Sequence, residues 1–426
     1  MKNKLHIPYA VVIISFIISS CTHQPCNHNP GKVNFDHLKH LYEEITMPSG
    51  TGVGIVHIYS QYPDYTYEIE DDEGFTCVDD VARAVVLLSM KPEVKQDIEL
   101  MGMMKKMLMF VIEMQADNGY FYNFLEKGPQ INTTYRTSLP EPNWWSWRAL
   151  WAMESSREFI KDDPDLLASL DSSSARLVRN ITDTYLLHPY DQDTIEGIIV
   201  PAWLPLQCAS DQAGLLIVAL EKYYRHTQDP AIPLIIERFA NGIMDMQIGD
   251  IDHYPYGAFL SWKNLWHAYG NIQAYALLVA GEMLENDRYR ESAMQEINFF
   301  YSYLVNDYYM DHIWFYRDRD EYFEEKSSRF PQIAYGFRPM IFASLEAFKQ
   351  TGDPYYFDLA ETLAGWFGGD NIADVKMYDE KSGRCFDGIN SASSVNMNSG
   401  AESTIEALLA LQAIENARKS MPVEEE

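Results

Sequence analysis

From Phe35 to Lys419 apolar positions recur at three- and four-residue steps, the spacing of helices that bury one face. Two kinds of segment alternate. One opens on small or polar residues and continues into a face of Ala, Gly and aromatics; its members start near Cys77, Asn143, Ser210, Lys263, Pro331 and Ser399. The other carries more charge and covers Phe35 to Ile45, Val94 to Gln115, Ala168 to Leu187, Ile232 to Gln247, Asp287 to Asp307 and Tyr355 to Trp366. Starts of the apolar kind are roughly 55 to 70 residues apart, one helical hairpin plus loops. A series that begins on a charged helix and ends on an apolar one can close into a ring with the apolar set inside. The expectation is an all-α chain: a single (α/α)6 toroid over residues 33–420. A linear solenoid would use shorter, more uniform repeats, and no linker marks a division into two α domains. Val53 to Tyr59 and Tyr65 to Glu70 alternate apolar and polar residues around Tyr62-Pro63-Asp64, which predicts a small β-hairpin before the first inner helix.

The beginning of the chain follows a different pattern. Lys2 and Lys4 precede an apolar run from Tyr9 to Ile18, too short to span a bilayer comfortably, and Ser19-Ser20-Cys21 follows. Residues 1–20 therefore read as a signal peptide. Ile18-Ser19-Ser20-Cys21 resembles the bacterial lipoprotein box, which implies lipidation of Cys21 and an envelope protein facing the periplasm or the cell surface. Residues 21–32 read as a flexible spacer and 421–426 as an acidic tail. Cys26, Cys77, Cys208 and Cys385 are widely spaced with no CxxC pair, so neither a structural zinc site nor a disulfide framework is expected. A single bridge between helix starts stays open.

Composition narrows the function. The 426 residues are 47% hydrophobic and 22% charged, enough to build a large core. With 33 Lys+Arg against 62 Asp+Glu the net charge is −29, and loss of Lys2 and Lys4 with the signal peptide makes it −31. Such a surface repels phosphate backbones, so nucleic acid is not a partner. Aromatics make up 13% of the chain, and Trp gathers at the starts of the inner helices, where indole faces suit sugar rings.

Those starts also hold the candidate chemistry. Asp79, Asp80 and Arg83 open the first inner helix. Glu141, Trp144 and Trp145 stand at the second, Asp211 at the third, and Trp262 and His267 at the fourth. Tyr335 and Arg338 open the fifth, while Asp387, Asn398 and Glu402 surround the start of the sixth. In a closed ring the first and sixth inner helices are neighbours, which makes Asp80 with Glu402 the leading acid pair and Asp79, Asp211 and Glu141 the alternates. Each has a bland explanation as well. Ser399-Gly400-Ala401-Glu402 fits a capping box, and Asp79 and Asp80 stand at ion-pair spacing from Arg83.

Two blocks carry a resemblance. Gly74-Phe75-Thr76-Cys77-Val78-Asp79-Asp80-Val81-Ala82-Arg83-Ala84 is one, and Asp387-Gly388-Ile389 followed by Asn396 to Thr404 is the other. They resemble the signature blocks of bacterial six-hairpin glycosidase-like domains, some free-standing and others fused to glycosyltransferases. The resemblance implies an (α/α)6 toroid and a carbohydrate ligand but no settled reaction; the reading taken is hydrolysis of neutral oligosaccharides, and its inverting course rests on the resemblance. Trp144, Trp145, Trp262, His267, Tyr335, Arg338, Arg83, Asp387 and Asn398 are the expected substrate contacts. A lyase or epimerase using His267 or Tyr335 as base, and a glycan-binding lipoprotein without catalysis, are the alternatives. No phosphate loop, dinucleotide fingerprint or HExxH occurs, and Asp318-Arg319-Asp320 lacks the glycine of a calcium loop, so neither cofactor nor metal is expected.

Overall fold

The computed structural model describes residues 30–421. The proposed signal peptide, Cys21, Cys26 and all but the first residue of the acidic tail lie outside the described residues. The described helices are α1 (Asp36–Leu41), α2 (Val78–Ser89), α3 (Ile98–Glu113), α4 (Trp144–Ile160), α5 (Pro164–Tyr185), α6 (Ser210–Thr227) and α7 (Ala231–Asp245). They continue with α8 (Gln273–Met283), α9 (Asp287–Gln295), α10 (Tyr301–Asn306), α11 (Arg338–Thr351), α12 (Pro354–Gly368) and α13 (Ala401–Ser420). A π-helical stretch, Glu296–Phe300, joins α9 to α10.

The inner ring closes. Helix α2 packs on α4, α4 on α6, α6 on α8, α8 on α11, α11 on α13, and α13 returns to α2. Behind them stand α3, α5, α7, α9, α12 and α1, each against its own inner helix. This is the (α/α)6 toroid expected from the alternation of segments. Inner helices have neighbours on several sides, so burial wraps around them: α13 buries nearly every residue from Ala401 to Ile414, Glu406 and Gln412 included. An outer helix such as α5 buries a stripe, Leu170, Leu177, Val178 and Ile181, and leaves the opposite face in water. Outer helices also start sharply: Asp163 and Asp353 cap α5 and α12, each followed by a proline at the first helical position. Among the described residues no helix is long and apolar enough to cross a membrane.

The structure departs from the sequence pattern at several places. The first outer helix is short, because Tyr42–Thr46 leaves it as a strand and pairs antiparallel with Gly52–Val56. The expected hairpin is therefore shifted: Tyr59–Gln61 pairs with Thr66–Glu68, and Val53 to Val56 belongs to the other ladder. The fourth inner helix starts at Gln273, not near Lys263. Leu265–His267 is instead a strand on a three-stranded sheet with the hairpin His312–Asp318 and Glu321–Ser328. Lys263 has φ 54°, a left-handed conformation that no helix continues through. Cys77, Cys208 and Cys385 are free buried thiols, so no bridge links the described helix starts.

Candidate active site

The N-termini of α2 and α13 meet, with the loop before α11, around a cavity of about 300 Å³. Asp79, Asp80, Arg83, Tyr335, Asp387 and Glu402 line it, and Tyr59 and Glu73 stand at its edge, joined by a hydrogen bond from the Tyr59 hydroxyl. Sequence positions far apart converge here because the ring closes between its first and last inner helices.

Arg83 organises the acids. Its Nη2 donates to Asp80 Oδ1 at 2.6 Å and to Glu402 Oε2 at 3.1 Å. Its Nη1 reaches Glu402 Oε2 at 3.1 Å and Glu406 Oε1 at 3.0 Å. One nitrogen thus bridges both leading acids, so their nearest oxygens are closer than the about 6.5 to 9.5 Å used by single-displacement hydrolysis. Glu406 also accepts from Arg338 Nε at 2.6 Å, which closes a network of three acids and two guanidiniums, buried except at Glu402.

Environment divides these acids. Asp80 is 2% exposed, and burial pushes its carboxyl up to about 6 even though Arg83 pulls the other way. Glu402 and Asp79 add to the rise as like charges. Burial also pushes Glu406 up, but Arg338 and Arg83 together outweigh it and hold Glu406 below the usual carboxylate range. The Glu402 side chain is 45% exposed and opens into the cavity. It forms no capping box: Gly400 is the N-cap, α13 has no side-chain cap, and Ser399 Oγ is hydrogen-bonded to Thr404 Oγ1. The capping explanation of Glu402 is thereby removed.

Asp79 is oriented differently from Asp80. Its Oδ2 pairs with Arg148 Nη1 at 2.8 Å instead of Arg83, while its Oδ1 is buried and has no hydrogen-bond partner. Arg148 Nη2 donates in turn to the Tyr335 hydroxyl at 2.7 Å. Arg83, Arg148 and Arg338 lie 5.3, 5.3 and 5.0 Å from the Tyr335 ring centroid, so this ring sits among three cations.

Farther round the rim, His267 Nε2 meets Asp211 Oδ2 at 3.1 Å, and the Gly270 N–H donates to His267 Nδ1 at 2.9 Å. The second bond makes Nδ1 the acceptor, which leaves the proton on Nε2 for Asp211. Both ring nitrogens are committed. Burial raises the Asp211 carboxyl, against the pull of His267.

Of the remaining expected contacts only Asp387 is among the residues lining the cavity; Trp144 and Trp262 stand outside it. Trp144 is partly exposed with Arg148 5.0 Å from its ring, and Trp262 is partly exposed beside Lys263. Trp145 belongs to the core, its Nε1 donating to the Phe121 and Leu139 carbonyls at 2.6 and 3.0 Å. Arg338 is buried on Glu406 and does not line the cavity. Asn398 Oδ1 accepts from Tyr62 N–H at 3.0 Å, which fixes the Tyr59–Gln61 hairpin. Asp387 accepts from the Gly400 N–H at 2.8 Å and from Ser403 Oγ at 2.7 Å, tying down the start of α13; burial pushes its carboxyl up. Glu141 accepts from Asn143 Nδ2 at 3.3 Å and is not among the cavity residues. Sequence reasoning missed Tyr59, Glu73, Arg148 and Glu406. Arg148 and Glu406 left a signal, a charge on the apolar face of an inner helix; Glu73 was hidden in the acidic run Glu68 to Glu73. No cluster of three or more His, Cys, Asp or Glu that could hold a metal ion occurs among the described residues.

No protein-family model matches the chain, and no curated protein matches it in sequence. Solved structures do match. A sugar epimerase from a ruminal bacterium superposes with a TM-score of 0.59 at 11% identity, over 86% of this chain and 93% of its own. A cellobiose 2-epimerase from Bacillus thermoamylovorans B4167 gives 0.57 at 12% identity, over 85% and 92%. A family 76 glycoside hydrolase (mannosidase) from Bacteroides thetaiotaomicron VPI-5482 gives 0.54 at 14% identity, over 89% and 95%. All three agree with this chain in fold, the six-hairpin toroid.

Proposed function

We propose that this toroid is a glycoside hydrolase acting on neutral oligosaccharides, with Asp80 as general acid and Glu402 as its carboxylate partner. The observation that carries it is the pair itself: a buried acid raised to about 6 and an accessible carboxylate, held on one guanidinium beside a cavity of sugar size. Asp80 would protonate the leaving glycosidic oxygen while Glu402 attacks the anomeric carbon. Water, deprotonated by Asp80, would then hydrolyse the glycosyl ester and restore both groups. The bridging by Arg83 supports this double displacement, with retention, over the inverting course expected from the resemblance. Asp79 Oδ1, buried and unpartnered, would accept a sugar hydroxyl. Epimerisation needs a base with a free nitrogen or oxygen at the substrate, and His267 has neither nitrogen to spare. By the same proposal the protein is anchored to the cell envelope through lipidated Cys21.

A panel of α- and β-linked neutral glycans, mannosides first because the family 76 neighbour is a mannosidase, tests this through release of reducing ends. Proton NMR of the first product anomer reads the stereochemistry. Turnover abolished in Asp80→Asn and Glu402→Gln, with folding intact, is the expected result. Full activity in either variant, or an epimerised product without chain cleavage, would overturn the assignment.

A further inference from the structure

The three-stranded sheet beside the cavity has two unlike faces. Along His312–Asp318, Ile313 and Phe315 are fully buried, and Phe315 packs 5.9 Å from Tyr254. The alternate positions His312, Trp314 and Tyr316 project from the opposite face, as strand periodicity requires. Register extends that face across the sheet, open except at the buried His267. His267 stands opposite His312, Leu265 and Lys326 flank Trp314, and Phe323 stands opposite Tyr316. Lys326 Nζ lies 4.6 Å from the Trp314 ring. Tyr316 and Phe323 are stacked at 5.4 Å and are each 37% exposed, so the outer end of the stripe is a paired aromatic ledge in water.

The exposed Tyr269 links this stripe to the cavity, over the buried His267. Tyr269 is 3.9 Å from His267 and 6.0 Å from Tyr335, which lines the cavity. The line of rings therefore runs from Tyr335 to the exposed Tyr269, past the buried His267, to Trp314 and then to Tyr316, rising about 13 Å along the strand after His312. Acidic side chains border it: Asp318, Asp320, Glu321 and Glu325 lie on the same hairpin. They would repel a polyuronate but accept hydroxyls.

Resting on the hydrolase reading for its inner end, we propose that the open face of this sheet is a set of distal subsites for a neutral oligosaccharide chain. Trp314 and the Tyr316–Phe323 ledge stack on sugar rings beyond the scissile bond, so the enzyme prefers chains to disaccharides. An aromatic face presents apolar area with little entropy to lose, and sugar rings offer C–H faces to cover it.

The test uses the full chain and a ladder of linear α-mannooligosaccharides from disaccharide to hexasaccharide. In Trp314→Ala and Tyr316→Ala, kcat/KM on the hexasaccharide should fall about tenfold while the disaccharide rate stays unchanged. Equal losses at every length, or no loss at any, would overturn the subsites. Thermal melts identify a variant that misfolds. Lys326→Ala then serves as the second probe, since it uncovers the Trp314 ring and should preserve the length preference. Retardation of each variant in gels containing soluble α-mannan separates the two proposals. Retardation that depends on Trp314 and Tyr316 without any turnover would sink hydrolysis and support the subsites; turnover that ignores chain length would do the reverse.

Discussion

Two buried carboxyls, Asp80 and Glu296, are pushed upward by the same cause and differ in everything else. Glu296 sits in the π-helical stretch of the outer layer, fully buried, with Phe259 N–H on Oε1 at 2.9 Å and Tyr301 as its neighbouring hydroxyl. Among the described residues no cation pairs with it, and burial pushes it up to about 8. Asp80 is raised less, to about 6, because Arg83 opposes its burial. The more perturbed acid is thus the one without a cavity. A raised carboxyl measures desolvation; it becomes chemistry only where there is room for a substrate and a second acid across from it.

Changing the acids should sharpen that contrast. Asp80→Asn should lower kcat by about 10²- to 10⁴-fold with little change in the melting curve, measured as sugar release. Arg83→Met should destabilise the fold by about 3 to 5 kcal/mol in denaturant titration, since it strands Asp80 in the core without its cation and leaves Glu406 with Arg338 alone. The pH profile of kcat should fall as pH rises through about 6, where Asp80 loses the proton it must donate. Glu296→Gln should leave sugar release unchanged and alter only the pH dependence of stability. In the parent, folded Glu296 keeps its proton to about 8 while the unfolded chain loses it near 4.5. The stability it lends is complete below 4.5, declines as pH rises, and is gone above about 8. Melting temperatures from pH 5 to pH 8 should therefore drop by a few degrees more in the parent than in Glu296→Gln. A loss of turnover in Glu296→Gln would erase the distinction between the two sites.

The ring was legible because helical periodicity and segment alternation are local signals repeated along the whole chain. Asp79, Asp80 and Glu402 were legible once closure was inferred, since closure alone makes the first and last inner helices adjacent. Their partners were harder to read. The sequence places Asp79 and Asp80 equally well for Arg83, and only packing of α4 on α2 assigns Asp79 to Arg148. The stretch from Lys263 to Met283 reads as one apolar helix, yet His267 lies on a strand whose partner begins at His312, a pairing too distant for periodicity to reveal. Trp144 and Trp145 were indistinguishable in sequence; helix geometry turned one outward and sent the other indole to the backbone of Phe121 and Leu139.

Arg83 and Glu402 are 319 residues apart in the chain. At roughly 5 to 20 residues per second, a ribosome emits the second tens of seconds after the first. Throughout that interval the nascent α2 carries a guanidinium and two aspartates with no opposite wall. The cavity therefore has no second wall until α13 has been made and packed on α2.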